Sequence, residues 1–321
     1  MPYQKPPKIC PVCKEEADFK FIQDYQNEWG RWSLFECSKC DVQFWIPFKN
    51  PGIVHYERSY IVRDTLKPKI LYGYHKKFLK TYEKFSVCGK VLDLGCGTGD
   101  LIAILKQKGC KVWGVDLDKN AINFAKKYFK LENVYPISCE EFFTLENIPR
   151  FDLITAFELL EHLDNPLNFL QNIKNLLKKE GIAVISTPSR ERILPNLWPA
   201  DFPPHHLTRW NEKAIFNLFE KVGFEIIRID YTDQLKFLME SLNSKLRLGL
   251  VLKTAKILKH KRINEEEKAI VGGTFFTEFM HFGAYLKDYF LTGLPAVLML
   301  AISKILSYKN GDMVIWCKNR I

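Results

Sequence analysis

The stretch VLDLGCGTGD, residues 91–100, constrains this chain more than any other: an apolar run ends at Leu94, and glycines follow at alternate positions, Gly95, Gly97 and Gly99. Glycine is the residue for a tight strand-to-helix turn that a ligand must approach closely. From Lys90 onward, apolar runs alternate regularly with amphipathic ones. Strands are read at 91–94, 111–116, 133–137, 151–157, 181–187 and 224–229, and helices near 99–108, 119–130, 140–145, 166–178 and 212–222. This alternation predicts an α/β fold, a doubly wound Rossmann-like sheet with right-handed crossovers. The helix limits have local chemistry behind them: Asn165 and Asn211 can cap, Pro166 opens a first turn, and Gly223 can end a helix.

The spacing of the glycines narrows the ligand. A dinucleotide loop reads G-x-G-x-x-G because a pyrophosphate sits on the helix N-terminus. Here the pattern is G-x-G-x-G, and Asp93 stands two residues before the first glycine. A carboxylate there suits a cation better than a pyrophosphate. A second acid, Asp116, closes the next strand 21 residues after Gly95, close to the ~20 expected of an acid on ribose hydroxyls. A ligand with a ribose, a positive charge and no phosphate fits both acids, and S-adenosylmethionine is such a ligand.

With VLDLGCGTGD stand GVDLD (114–118), NVYPISCEEF (133–142) and FDLITAFELLEHLDNP (151–166). These segments resemble the motifs of class I S-adenosylmethionine-dependent methyltransferases. ELLEHLDNP, ISTPSRERI (185–193) and HHLTRW (205–210) are most similar to ubiquinone-type O-methyltransferases and glycan-pathway methyltransferases. The resemblance covers about 90–231, with 312–318 as an antiparallel last strand. It implies Gly95, Gly97 and Gly99 under the methionine moiety and Asp116 on the ribose. Cys139 and Glu140 compete for one place near the adenine, and Phe157 and Glu158 lie beside the cofactor. Asp93, Cys96 and Leu117 complete the expected cofactor set.

Methyl transfer is an in-line displacement, so the protein has to align a nucleophile and exclude water. A hydroxyl acceptor must also lose its proton to a base within hydrogen-bond reach. His162, after the fourth strand at the ligand-binding edge of such sheets, is the leading candidate, with Glu161 as the alternative. His205 and His206, in FPPHHLTRW, come from the loop expected to face the acceptor. The plainer reading of all three histidines, as residues that pack or cap a turn, stays open.

Upstream, CPVC (10–13) and CSKC (37–40) are two C-x-x-C knuckles separated by 23 residues. That spacing points to a tetrahedral Zn²⁺ site of Cys10, Cys13, Cys37 and Cys40. A closed four-thiolate site has no open position, so the expected role is structural. The unit resembles the zinc ribbons that precede some glycan-pathway methyltransferases, with Lys14 and Asp41 where such knuckles often have glycine. Cys88, Cys96, Cys110, Cys139 and Cys317 lack such spacing and are read as packing residues.

The expected organisation is a zinc ribbon over 1–48, a helical linker or lid over 49–88, a Rossmann-like domain over 89–233, a helical insertion over 234–308 and a last strand in 309–321. The formal charge of +10 is concentrated in the insertion, where 236–262 carries eight Lys or Arg against one acid, interleaved with leucines. Leu291–Leu306 is apolar but only 16 residues long and interrupted by Pro295 and Lys304, short of the ~20 that span a bilayer. The N-terminal MPYQKPPKIC lacks an apolar signal region, and a cytoplasmic protein that can sit peripherally on the inner face of the membrane is expected. The expected partners are a small-molecule, glycan or lipid-linked acceptor and an anionic membrane surface. Methyl transfer to a sugar, glycan or lipid-linked hydroxyl is the leading function. Quinone-pathway O-methylation is one alternative; a zinc-ribbon RNA methyltransferase or nucleic-acid binder is the other, disfavoured by the lack of a dense basic patch with aromatics.

Overall fold

The computed structural model describes residues 4–52, 71–85, 88–192, 201–232, 234–235, 238–239, 294–305, 309 and 311–319. Two compact units divide the chain: residues 1–190, 199–232 and 311–321 form one, and 191–198 with 233–310 the other. The first unit contains both sheets. In the second, the long described element is one helix, Leu294–Ile305, with Leu294, Val297, Leu298, Ile302 and Ile305 exposed. The basic stretch expected over 236–262 lies outside the described residues except for 238–239, as do 53–70 of the expected helical linker. Among the described residues no helix is long and apolar enough to cross a membrane.

The chain opens with antiparallel strands β1 (Phe19–Asn27), β2 (Gly30–Cys37) and β3 (Gln43–Ile46). Helix α1 (Gly73–Phe85) leads into β4 (Lys90–Leu94), α2 (Asp100–Gln107), β5 (Lys111–Val115), α3 (Lys119–Phe129), β6 (Val134–Tyr135), α4 (Cys139–Phe143) and β7 (Phe151–Phe157). Then follow α5 (Pro166–Leu176), β8 (Leu177–Pro188), β9 (Thr208–Arg209), α6 (Glu212–Val222), β10 (Phe224–Tyr231), α7 (Leu294–Ile305) and β11 (Asp312–Asn319).

Seven strands form the main sheet in the order β10-β11-β8-β7-β4-β5-β6. The pairs from β8 through β6 are parallel, and β11 is antiparallel to both neighbours. The predicted antiparallel last strand is therefore present. Strand order reverses between β4 and β7, so the crevice beyond their carboxyl ends is where an open sheet of this kind takes its ligand. Near-continuous burial along β4, β7 and β8 explains their Val, Ile, Leu and Ala content, since both faces of the sheet are covered. Trp316 of β11 is stacked on Phe78 and Phe85 of α1, at 5.4 and 5.0 Å between ring centroids, which fixes that helix to the sheet.

Local chemistry sets the ends of these elements. Asn165 caps α5 and Asn211 caps α6, accepting hydrogen bonds from Asn168 N–H and Ala214 N–H. Gly223 ends α6 in the left-handed conformation. Two readings needed correction. The third strand is only Val134–Tyr135, because Ser138 starts a helix with a capping box to Glu141. Helix α5 stops at Leu176 and Leu177 already pairs with Phe151, where the Arg150 guanidinium binds the carbonyls of Asn175 and Leu177.

The four knuckle cysteines are buried, and their sulfurs lie within 4.8 Å of one another, Cys10 and Cys40 at 3.8 Å. Tetrahedral Zn–S bonds of ~2.3 Å require S···S edges of about 3.8 Å, so this thiol set has the right size. Lys14 and Asp41 follow the second cysteine of each knuckle with φ of 61° and 63°, which is why glycine is favoured there. Their N–H groups donate to the carbonyls of Cys10 and Cys37. Cys88 and Cys110, read as packing residues, touch each other at 2.8 Å between sulfurs, beside the Tyr82 hydroxyl.

A feature the sequence does not announce is that the ribbon's sheet has a fourth strand, β9, donated from residues 208–209 beyond β8. Trp45 N–H donates to Leu207 O at 3.0 Å, Asn27 Nδ2 to Pro203 O at 3.2 Å, and Tyr25 stacks on Phe202 at 4.4 Å. Such an aromatic pair adds about 0.5–1.5 kcal/mol beyond its buried area. Asp41 binds Arg190, Asn211 and Lys213 on the same side. The ribbon thus grips the loop carrying the histidine pair.

Gly99 has φ +79°, and a Cβ there would lie 2.8 Å from Leu131 Cδ1 and 3.0 Å from Ala125 Cβ. Gly99→Ala is predicted to cost about 1–3 kcal/mol of stability through crowding and backbone strain. Urea unfolding should show a lower midpoint at an unchanged slope; an unchanged midpoint would contradict the packing described.

Candidate active site

The glycine loop hangs from β4 and is tied to β5. Gly95, Gly97 and Gly99 have φ of 77°, 52° and 79°. Gly95 and Cys96 N–H both donate to Val115 O, at 2.8 and 2.9 Å. Gly97 N–H donates to Asp116 Oδ2 at 2.7 Å, and Asp118 N–H to Asp116 Oδ1 at 2.9 Å. Both carboxylate oxygens are therefore oriented by backbone N–H groups.

Asp93 is 3% exposed and accepts a 2.6 Å hydrogen bond from Thr155 Oγ1. Burial, with Asp116 adding to it, pushes this carboxyl up to about 7. Residues 91–105 contain no Lys or Arg to meet a phosphate. Two acids with no basic partner in the loop fit a ribose-bearing cation. Cys96 is buried in the turn, and Leu117 is exposed at its rim.

Cys139 opens α4 half-buried, whereas Glu140 is exposed. The Cys139 thiol is pushed up by burial, then by Glu140, Asp116 and Asp93, which places it in the same electrostatic neighbourhood as the loop acids. At the end of β7, Phe157 stacks on Tyr74 of α1 at 5.6 Å and meets the edge of His75 at 5.0 Å. Tyr74 and His75 were not singled out by sequence; the only signal was the Tyr-rich run preceding the domain. Glu158 adopts φ 50°, unusual for a non-glycine residue, and is fixed by Ser186, which receives its N–H and donates Oγ–H to its Oε1 at 2.7 Å.

One turn further on, Leu160–His162 is a short 3-10 helix. Glu161 is 1% exposed; Oε2 accepts from Thr187 Oγ1 at 2.9 Å, and Oε1 has no hydrogen-bond partner. Burial raises this carboxyl to about 8. His162 Nδ1 lies 2.7 Å from His205 O, and only a protonated Nδ1 can make that bond. Its Nε2 therefore carries the lone pair, 3.9 Å from Glu161 Oε1. Burial, assisted by His205, pulls the His162 imidazolium down to about 3.

His205 and His206 are stacked at 5.0 Å, with His162 edge-on to each at 4.6 and 4.7 Å. His206 Nε2 lies 4.0 Å from Glu161 Oε1 and its Nδ1 3.7 Å from Asp201 Oδ1. Leu207 N–H donates to Glu161 O at 2.8 Å, so the loop is held directly against the turn after β7. All four side chains named from sequence for the acceptor side, Glu161, His162, His205 and His206, are brought together. Thr187 and Asp201 join them unannounced.

A family model described as "Methyltransferase domain" matches residues 68–229, about half of the chain. The ubiquinone biosynthesis O-methyltransferase of Glaesserella parasuis serovar 5 (strain SH0165) is 31% identical over 160 residues, which span 42% of this chain and 68% of that protein. The enzyme of the same name from Coxiella burnetii (strain Dugway 5J108-111) is 32% identical over 162 residues, with 44% and 69% covered. That from Haemophilus ducreyi is 36% identical over 110 residues, and there the match spans less than half, 46%, of the relative. Among solved structures, a SAM-dependent methyltransferase from Archaeoglobus fulgidus aligns over 76% of this chain and 92% of its own, at 19% identity and a TM-score of 0.47. The chain belongs to the S-adenosylmethionine-dependent methyltransferase family.

Proposed function

We propose that this chain transfers the methyl group of S-adenosylmethionine to a hydroxyl oxygen of a sugar, glycan or lipid-linked small molecule. The observation that carries this reading is the buried carboxylate and three imidazoles clustered just past the end of β7, three residues beyond Glu158. S-adenosylmethionine supplies a methyl carbon already activated by its sulfonium. The chain's own residues bind, orient and keep water out. Asp116 accepts ribose hydroxyls, Asp93 offers a carboxylate to positive charge, and Phe157 with Tyr74 walls off solvent. Held by His205 O, His162 presents Nε2 as the proton acceptor for the attacking hydroxyl, and Glu161 is the alternative.

A second reading, O-methylation in a quinone pathway, is favoured by the name shared by the relatives. A lipid-linked acceptor is supported by α7, whose apolar side chains are exposed. The cysteine quartet is proposed to hold structural Zn²⁺, which would keep the grip of β3 on β9 and so the His205–His206 loop in place.

Three measurements test these statements. Transfer of labelled methyl from S-adenosylmethionine into fractionated extract of the source cells should label organic-soluble or glycan material, and His162→Ala should lower that turnover at least tenfold with cofactor affinity nearly unchanged. Label confined to RNA would overturn the acceptor class, and equal loss of turnover and cofactor binding would make His162 structural.

Removing zinc with a chelator should raise hydrogen exchange of amides in 201–210 at least tenfold while 91–105 stays protected. Unchanged exchange in 201–210 would sink the structural coupling.

The third concerns Asp93. Burial raises its carboxyl from the ordinary aspartate value of 3.8 to about 7, so the neutral form is favoured below pH 7. This group's penalty on stability is absent below pH 4, grows as pH rises and levels off above 7. A cation favours the ionised form, so affinity for S-adenosylmethionine should rise from pH 6 to 8 and Asp93→Asn should flatten that rise. Calorimetry showing a wild-type affinity independent of pH would contradict it.

A further inference from the structure

Cys88 and Cys110 belong neither to the crevice nor to the quartet. Cys88 stands two residues before β4 and Cys110 one residue before β5, at the amino ends of these strands and so on the sheet edge opposite the glycine loop. The strands are parallel neighbours with Lys90 opposite Lys111, and Lys111 N–H donates to Gly89 O at 2.8 Å. Asp152 fixes the same corner, accepting from Lys90 N–H at 2.8 Å. One residue of rise, ~3.3 Å, on a strand separation of ~4.8 Å puts the two cysteine Cα atoms about 6 Å apart, inside the ~4.4–6.8 Å that a disulfide spans. The sulfurs already meet at 2.8 Å.

The two thiols differ in access. Cys88 is exposed, whereas Cys96, Cys110 and Cys317 are buried and Cys139 is half-buried. Cys110 is 5% exposed, and the Tyr82 hydroxyl of α1 lies 3.2 Å from its sulfur. A dissolved reagent therefore meets Cys88 first, and Cys110 waits behind it. The bond to Cys110 pushes the Cys88 thiol up, so at neutral pH the pair rests as two thiols and exchanges on the order of minutes to hours.

We propose that Cys88 and Cys110 are a thiol–disulfide exchange site for small-molecule disulfides, with Cys88 as the attacking residue and Cys110 as the resolving one. The Cys88 sulfur gives up its proton to solvent and bonds to one sulfur of the reagent. The reagent's S–S bond breaks and its other half leaves as a thiol. Cys110, deprotonated in turn, attacks the Cys88 sulfur and expels the second half. The protein is oxidised by two electrons, one disulfide is reduced to two thiols, and a dithiol runs the sequence backwards.

The ring closed by this bond, residues 88–110, encloses β4, the glycine loop and α2. Oxidation would thus staple the strand–loop–helix unit from the edge away from the ligand, leaving the loop's own geometry alone. A staple of this kind acts by restricting the unfolded chain.

The test uses full-length protein, folded and supplied with zinc, exposed to glutathione disulfide and then alkylated and digested with trypsin. The expected product is FSVCGK (85–90) linked to GCK (109–111), peptides that carry no quartet cysteine. Dithiothreitol should release it. Cys110→Ser protein should instead keep glutathione on Cys88, and Cys88→Ser protein should leave Cys110 at least tenfold less modified. The linked protein should show an unfolding constant in urea at least tenfold lower, because a ring of roughly 20 residues removes that much freedom from the unfolded chain; Cys88→Ser protein should show no such gain. A cooperative urea transition checks that each variant folds, and if Cys110→Ser does not, the linked peptide and Cys88→Ser decide alone. Absence of the linked peptide, its appearance only after unfolding, equal modification of Cys110 in Cys88→Ser protein, or a linked protein no more stable than the reduced one would overturn the proposal.

Discussion

Leu207 uses both of its backbone groups to cross from one part of the molecule to another. Its carbonyl accepts from Trp45 N–H in the ribbon, and its N–H donates to Glu161 O beyond β7. That bridge works together with the Phe44–Thr208 pairing and the His162 Nδ1–His205 O bond. Together these contacts hold the loop carrying His205 and His206 against β3 and against the turn after β7, where surface loops are otherwise the least constrained part of a fold. The ribbon is therefore more than an appendage: β9 completes its sheet, and Asp41, next to Cys40 of the quartet, binds Arg190, Asn211 and Lys213 of the main domain.

The two sides of the crevice are made by different means. On the cofactor side the backbone does the positioning, with left-handed glycines and the N–H groups that aim Asp116. Asp93 stands there as a buried acid with Asp116 as its charged neighbour. On the acceptor side, side chains orient one another: Thr187 fixes Glu161, and His205 O fixes His162. Burial keeps His162 neutral and raises the Glu161 carboxyl to about 8, so of the two it is Glu161 whose ionisation falls near neutral pH.

Much of this was legible in the residues because local chemistry dictated it. The glycine spacing, Asp116 at 21 residues and the capping Asn165 and Asn211 each depend on a few neighbours in sequence. The cysteine spacing likewise announced a cluster that the fold assembles. What stayed hidden depends on partners distant in sequence. Phe202 stacking on Tyr25 and Thr208 pairing with Phe44 join residues more than 150 positions apart, and no periodicity encodes them. Tyr74 on Phe157 was missed for the same reason. The end of α5 was misjudged by two residues because Leu177 answers to Phe151 across the sheet and to Arg150, a tertiary pull that helix propensity does not contain.

The central claim is that the crevice beyond β4 and β7 holds S-adenosylmethionine with its reactive end toward the histidine cluster. A crystal structure of the protein with S-adenosylhomocysteine tests this most directly. The account predicts ribose hydroxyls on Asp116 and the sulfur on the side of Glu158, facing His162. A ligand bound with its sulfur turned away from that cluster, or bound without contact to Asp116, would contradict it.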